Sequence, residues 1–217
     1  EEQEIVNLEK HPNFNWDFFA KETEESIYWL GFIAADGAVI GNPSKKLKLS
    51  IGLKHTDEPH LHKIAGLLNH GTVKQIDMTK YEGYIGDKRV KGGKIAKLEI
   101  SSSSLCRPIV EQGITPQKTH SLELSEKLKK SRHFWRGYID GDGSLSKLRT
   151  KAGNISTVFN LGGASKSVIL DFNDFLEAHG ISKATVKTRN YKNPFYILTL
   201  SGERARMAAE LLYKDAC

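Results

Sequence analysis

The stretch YWLGFIAADG at residues 28–37 returns 106 positions later as FWRGYIDGDG at residues 134–143. Trp29, Gly31, Ile33, Asp36 and Gly37 recur as Trp135, Gly137, Ile139, Asp142 and Gly143, while Tyr28 and Phe32 are exchanged for Phe134 and Tyr138, aromatic for aromatic. Looser matches continue downstream. In each half a strand-like stretch and a turn lead into a helix-like run that ends in His-Gly, at His70-Gly71 and again at His179-Gly180. KIAKLEISSSSLCRPIVEQGI is echoed by FYILTLSGERARMAAELLY. A period this long is a duplicated folding unit rather than a short solenoid repeat. It restricts the chain to two similar units built around a shared joint.

Each unit reads helix, strand, strand, helix, strand, strand, helix. In the first, helices are expected near 25–35, 57–69 and 102–112, with strands near 38–41, 46–54, 72–78 and 94–101. In the second, helices are expected at 131–141, 165–179 and 202–213, with strands near 144–150, 154–162, 184–190 and 194–200. The units then span 25–112 and 131–217, after an N-terminal extension at 1–24 and with a Lys- and Ser-rich connector at 113–130. The clearest strand runs from Lys46 to Lys54, where Leu47, Leu49, Ile51 and Leu53 alternate with Lys46, Lys48, Ser50, Gly52 and Lys54. One of its faces is apolar; the other is small or cationic and carries no acid. Thr185, Lys187 and Arg189 alternate in the same way in the second unit. Such a face suits either a solvated edge or a duplex groove wide enough for β-ribbons.

Charge points the same way without deciding the matter. The net charge of +6 and sequence pI near 9.2 fit a polyanion partner, or simply a basic protein. The longest apolar run, Ile27 to Ile40, is broken by Asp36, so no membrane span is expected. The acidic opening Glu1-Glu2 is not a signal peptide, and the absence of an initiator Met fits an excerpt of a longer protein. Cys106 and Cys217 read as reduced thiols of an intracellular chain, in a bacterial or phage-infected cytoplasm or in an organelle.

The repeated run itself carries the chemistry. Gly31 and Ala35, and likewise Gly137 and Gly141, fall four apart on one helix face and permit two backbones to approach closely. The two motif helices then form the joint about a local twofold axis. Asp36 and Asp142 fall in the last turns, where the helix dipole disfavours a carboxylate by up to about 1 kcal/mol, and across the joint they repel each other. Asp-Gly alone is a common turn, but a turn does not explain two copies in the same aromatic frame. A hard divalent cation such as Mg²⁺ between the acids reverses the penalty and suits phosphodiester hydrolysis by activated water. His55, His60 and His62 lack an accompanying cysteine and read as part of a helix start rather than a zinc site, and Ser101 to Ser104 as a strand end and helix cap.

These two runs resemble the LAGLIDADG motif, and from about residue 25 onward the chain resembles a double-motif, monomeric LAGLIDADG homing endonuclease. The resemblance implies an α+β fold of two pseudo-symmetric αββαββα units, with saddle-shaped antiparallel sheets set into the DNA major groove and the motif helices packed at the centre. It implies Asp36 and Asp142 as metal-binding catalytic acids, with the backbone carbonyls of Ala35 and Gly141 as further ligands. Asp140 fills the earlier acidic place of the second motif, where the first has Ala34. The segment 113–119 is similar to the one that delivers an active-site lysine, which makes Lys118 the third catalytic candidate. Its counterpart in the second unit falls near or beyond Cys217, with Lys214 a substitute. Polar groups at the ends of the second strands correspond to Lys54 or His55 and to Gly163, which offers no side chain.

The implied activity is sequence-specific cleavage of both strands of a long asymmetric duplex by a monomer. Mg²⁺ is the expected cofactor, with Mn²⁺ or Ca²⁺ able to occupy the same place. Alternation along the strands nominates Lys46, Lys48, Ser50, Lys54, Lys97, Asn154, Ser156, Asn160, Lys187 and Arg189 as outward DNA-reading residues. A basic hairpin at 77–94, with Lys80, Lys88, Arg89, Lys91 and Lys94, extends the phosphate contacts. A maturase-like protein that binds intron RNA, or a non-cutting DNA-binding regulator, would use the same scaffold.

Overall fold

Thr23, in extended backbone, accepts a hydrogen bond from the Ser26 N–H at 3.1 Å and so starts helix α1 (Glu24–Ala35), whose first turn places Glu24 and Glu25 at the positive end of the dipole. Ser131 starts α5 (Arg132–Asp142) in the same way, accepting from the Phe134 N–H at 3.4 Å. The structure is a computed structural model that describes residues 13–70, 72–85, 88–118, 122–149, 153–190 and 194–215. Residues 1–12, Gly71, Thr119 and Cys217, and the side chain of Lys88, lie outside the described residues.

After α1 come β1 (Gly37–Gly41), β2 (Leu47–Lys54), a 3₁₀ turn (His55–Asp57), α2 (Glu58–Leu67), β3 (Val73–Asp77), β4 (Glu82–Ile85), β5 (Lys88–Lys91), β6 (Lys94–Ser101) and α3 (Ser103–Glu111). The connector contributes one further helical turn, α4 (Glu126–Lys129). The second unit continues from α5 through β7 (Gly143–Arg149), β8 (Ile155–Gly163), α6 (Lys166–Ala178), β9 (Val186–Asn190), β10 (Pro194–Ser201) and α7 (Glu203–Tyr213). The sheets have the orders β1-β2-β6-β3 and β7-β8-β10-β9, antiparallel throughout. Their registers correspond: Gly37 lies opposite Ile51, and Gly143 opposite Leu161.

The alternation in each strand becomes two faces. Leu49, Ile51, Leu98 and Ile100 are buried under Leu61 and Ile64 of α2 and Leu105 and Ile109 of α3. Phe159, Leu161, Leu198 and Leu200 are buried under Val168 and Phe172 of α6 and Ala205 and Ala208 of α7. Each large apolar side chain so buried contributes roughly 1.5–3 kcal/mol. Phe14, Phe18 and Phe19 join the same core ahead of α1, while the Asn15 N–H donates to the Leu68 carbonyl at 3.1 Å. Thus the chain is α+β, two pseudo-symmetric αββαββα units whose helices cover one face of each sheet and leave the other open.

Among the described residues the units differ in the 3₁₀ turn after β2, which has no counterpart after β8, and in one larger element. The first carries a two-stranded ribbon, β4–β5, between β3 and β6. In the second, β9 ends at Asn190 and β10 starts at Pro194, too close for a ribbon of that length.

The joint between units is a backbone contact. A Cβ on Gly31 would stand 2.0 Å from the Phe134 carbonyl oxygen and 2.8 Å from the Tyr138 nitrogen; one on Gly137 would stand 1.9 Å from the Tyr28 oxygen and 2.9 Å from the Phe32 nitrogen. Those contacts are reciprocal under the 106-residue offset, which is the mark of a local twofold axis. Only residues without a side chain allow α1 and α5 to touch in this way.

Candidate active site

The glycine contact carries the two motif acids to one place. Asp36 is the C-cap of α1, its N–H bonded to the Phe32 carbonyl at 2.9 Å, and Asp142 is the last residue of α5. Beside Gly141 the last turn of α5 is so close to α1 that a Cβ there would lie 2.5 Å from Ala35 Cβ and 3.3 Å from Asp36 Oδ2. Both carboxylates are open to solvent on one side and crowded by protein on the other. Partial desolvation pushes both up; Asp142 reaches about 6, the charge of Asp36 adding to the effect and Lys118 and Tyr138 opposing it. Asp36 is further raised by Asp57, in the 3₁₀ turn that follows β2.

Lys118 reaches this centre from the connector. Its Nζ donates to the Ala34 carbonyl at 2.7 Å and to the Ala35 carbonyl at 3.4 Å. Burial pushes its ammonium down, and the charges of Asp142 and Asp36 hold it up. The Ala35 carbonyl, expected as a metal ligand, therefore faces a lysine ammonium here. The donor set nevertheless fits a hard divalent cation. It offers two adjacent carboxylates and carbonyl oxygens at a negative helix end that already accept a cation, with no thiolate or imidazole among them.

The halves are not equivalent around the acids. In the second, the Tyr138 hydroxyl lies 3.7 Å from where a Cβ of Gly163 would stand, and burial, with the charge of Asp142 beside it, pushes its phenol up. In the first, residue 32 is Phe, its ring packed 4.6 Å from His60 and 5.5 Å from Trp29. Asp140 belongs to a different cluster. It accepts from the hydroxyls of Tyr28, at 2.8 Å, and Tyr213, while the Arg136 guanidinium sits 5.0 Å above the Tyr28 ring. This group ties α1, α5 and α7 together and was missed by treating the place of Asp140 as inert. Lys214 is no counterpart of Lys118: it is not among the groups acting on either acid, and its carbonyl accepts from Arg132 in the first turn of α5.

The ten outward residues divide. Register puts Lys48, Ser50, Lys54 and Lys97 on the open face of the first sheet, with Lys46 just before β2. The strand itself presents no acid, but pairing with β6 brings one onto that face: Glu99, opposite Ser50, pairs with Lys48 at 2.7 Å and Lys97 at 3.1 Å. Ser50 is also only 8% exposed, covered between β1 and β6, and so is withdrawn as a direct reader of a partner. In the second sheet Ser156, Asn160, Lys187 and Arg189 share the open face, where Asn160 accepts a hydrogen bond from Thr199 at 2.8 Å; Asn154 precedes β8. Ile95 and Ile76 on the first face, and Phe195 and Ile197 on the second, face outward with them. Sequence alternation assigned these four no role.

The histidines scatter. His60 packs against Trp29 and Phe32, each at 4.6 Å, and His62 meets Glu58 at 3.3 Å. Among the described residues no group of three or more His, Cys, Asp or Glu side chains is placed to hold a metal.

Residues 129–212 match the family model described as a LAGLIDADG-like domain. Among solved structures, the I-LtrWI LAGLIDADG homing endonuclease bound to target DNA is similar over 93% of this chain and 84% of its own, with 13% identity and a TM-score of 0.56. LAGLIDADG homing endonuclease I-GzeII in complex with its DNA target covers 87% of this chain and 82% of its own, at 15% identity and a TM-score of 0.58. Mesophilic variants of the homing endonuclease I-DmoI cover 88% and 96% respectively, at 15% identity and a TM-score of 0.56. At these identities the likeness is one of fold. No curated protein sequence matches significantly.

Proposed function

We propose that the chain is a double-motif LAGLIDADG endonuclease that acts as a monomer, recognises a long asymmetric DNA duplex and hydrolyses one phosphodiester in each strand. The observation that carries this reading is the convergence of Asp36 and Asp142, one from each copy of the repeat, at the foot of a glycine-only helix contact. Structural stability gives no reason to bring two carboxylates together at two negative helix ends. The units at 25–112 and 131–217 each supply one acid and one open sheet face. The solved homing endonucleases of the same fold that are bound to their target DNA support the choice of partner.

The acids and the nearby carbonyls would hold Mg²⁺, or Mn²⁺ or Ca²⁺ in its place. When bound, the ion supplies a nucleophilic water and neutralises charge at the phosphate. The chain's own part is positional. Asp36 and Asp142 hold carboxylate oxygens side by side, with Lys118 donating next to them and able to offset phosphate charge. Lys54, Lys187 and Arg189 on the open faces bind backbone phosphates or base edges, and β4–β5 carries Arg89 and Lys91 beyond the first sheet.

Incubating the protein with a randomised duplex library and Mg²⁺, beside Asp36→Asn and Asp142→Asn, tests the reading. One long asymmetric site cut in both strands by the parent, and by neither variant, is expected. A parent that binds duplex DNA without cutting, or prefers structured RNA, refutes it in favour of a regulator or a maturase.

A further inference from the structure

We propose, on the reading that the open faces bind duplex DNA, that Glu99 and the two lysines beside it read one C·G base pair in the first half of the target. β2 and β6 are the central strands of their sheet, so these charges do not serve to guard an edge. Register sets Glu99 opposite Ser50 and Lys97 opposite Gly52 on the open face. The Lys48 ammonium meets Glu99 Oε1 at 2.7 Å, and the Lys97 ammonium meets the same oxygen at 3.1 Å. An ammonium has three donors, so each lysine keeps two for another partner. Both lysines gather on Oε1, which leaves Oε2 as an acceptor beside two cationic donors rather than between them.

The surface under this group is low. Ala38, Ser50 and Glu99 form one row across β1, β2 and β6, and Gly52 and Lys97 form part of the next. A Cβ on Gly52 would meet nothing within 4 Å, so the charged heads border an open floor. The second sheet differs. Ile197 and Thr199 stand in the places of Lys97 and Glu99, and Phe195 covers Gly162, the counterpart of Gly52. The hydrogen bond from Lys48, aided by Lys97, holds the Glu99 carboxyl below its usual range, so the acid is ionised at neutral pH. One acid with two cations leaves the group cationic, which suits a polyanion where a lone carboxylate would not.

In the major groove a C·G pair presents the cytosine amino group as a donor, with guanine O6 and N7 as neighbouring acceptors to one side of it. An A·T pair instead sets its donor between two acceptors. Oε2 standing beside the lysine donors matches the first order. Glu99 then accepts from cytosine N4 while Lys48 or Lys97 donates to guanine.

Duplexes bound from a randomised library, with Mg²⁺ and again without divalent cation, are recovered and sequenced for the parent, Glu99→Gln and Glu99→Ala. At one position in one half of the site the parent should favour C·G by about 5- to 150-fold. Glu99→Gln should move that position to A·T, because a glutamine amide pairs with adenine N6 and N7, and Glu99→Ala should lower the preference at least about fivefold. The remaining positions should keep their profiles.

Base profiles that ignore both substitutions overturn the proposal even where overall affinity changes, because Glu99 then only holds the lysines away from phosphates. A parent that favours A·T at that position, or changes spread over many positions, overturns it as well. If such a parent still cuts one site in both strands, the nuclease reading stands. A parent that shows the switch in bound duplexes but cuts none refutes the nuclease reading and leaves Glu99 its role. Binding of no duplex overturns both. Urea midpoints of the two variants separate these outcomes from failure to fold.

Discussion

Replacing Gly137 by Ala tests whether the joint is as close as the structure has it. The new Cβ would stand 1.9 Å from the Tyr28 carbonyl oxygen and 2.9 Å from the Phe32 nitrogen. Both are backbone atoms inside a hydrogen-bonded helix, so no rotamer change relieves the clash. Restoring an ordinary contact of 3.4 Å requires α1 and α5 to part by about 1.5 Å. Overpacking of this kind costs at the upper end of about 1–3 kcal/mol. The separation also loosens the aromatic packing around Phe32 and Tyr138, which adds roughly 1–2 kcal/mol. Against this, Ala gains about 1 kcal/mol over Gly in a helix interior. The net expectation is a loss of about 3 kcal/mol. Gly66→Ala is the matched control, because that glycine sits in α2 with nothing within 4 Å of the added Cβ. It should stabilise the chain by about 0.5–1 kcal/mol. Urea unfolding of the two variants reads the difference directly. If Gly137→Ala unfolds within about 1 kcal/mol of Gly66→Ala, the helices are not in backbone contact and the shared site loses its geometric basis.

Two further outcomes follow from the electrostatics. Asp142 is pushed up to about 6 from its ordinary 3.8, so protons compete for the carboxylate and cation binding should decline as pH falls below about 6. Because the folded chain holds that proton more readily than the unfolded one, its stabilising contribution is full below 3.8 and is lost as pH rises through about 6. Solvent on the open side limits the effect to less than about 1 kcal/mol, read as the difference between parent and Asp142→Asn melts across this window. On the open faces, Lys187→Ala should lower the salt slope of DNA binding by about 1. Lys48→Ala should change it less, because Glu99 already pairs with Lys48 at 2.7 Å, and Glu99→Gln should steepen it; equal slopes for the two lysine variants would refute the unequal availability of these charges.

The parts of the fold that depend on near neighbours could be read from the sequence, and the parts that depend on strand pairing could not. Alternation in residues 46–54 separated the core face of β2, and the repeated glycines marked the joint, because periods of two and four place residues on a face without reference to the rest of the chain. Glu99 escaped notice because it meets Lys48 only through the pairing of β2 with β6, a partner that alternation cannot name. Ser50 has the right parity for an outward residue but lies between two strands, so parity did not give exposure. Lys118 was found by resemblance alone; nothing in its local pattern says that its ammonium returns to the end of α1. The inequality of residues 32 and 138 had a visible signal, an aromatic exchange that adds a hydroxyl one helical turn before an acid. Reading the exchange as conservative hid it. Asp140 needed two tyrosines from other helices, Tyr28 and Tyr213, before it had a function to assign.

Duplication accounts for the sameness of the two halves, and the differences determine what the whole can read. With Gly37 opposite Ile51 and Gly143 opposite Leu161, Ser50 corresponds to Asn160 and Lys48 to Val158. A buried hydroxyl thus corresponds to an amide that can meet a base edge, and a lysine paired to Glu99 corresponds to an apolar residue. The first unit adds the β4–β5 ribbon and its cations; the second has Phe195 over Gly162, where a Cβ would lie 2.8 Å from the ring. Two identical faces would favour a palindrome, since a twofold axis maps each contact onto its equal. Here the axis relates backbone and acids but almost none of the side chains on the open faces. A duplex bound across both faces therefore gains nothing from symmetry in its own sequence. The axis survives in the pairing of the two sheets, at the glycine contact and at the two carboxylates below it, and is lost on the open faces.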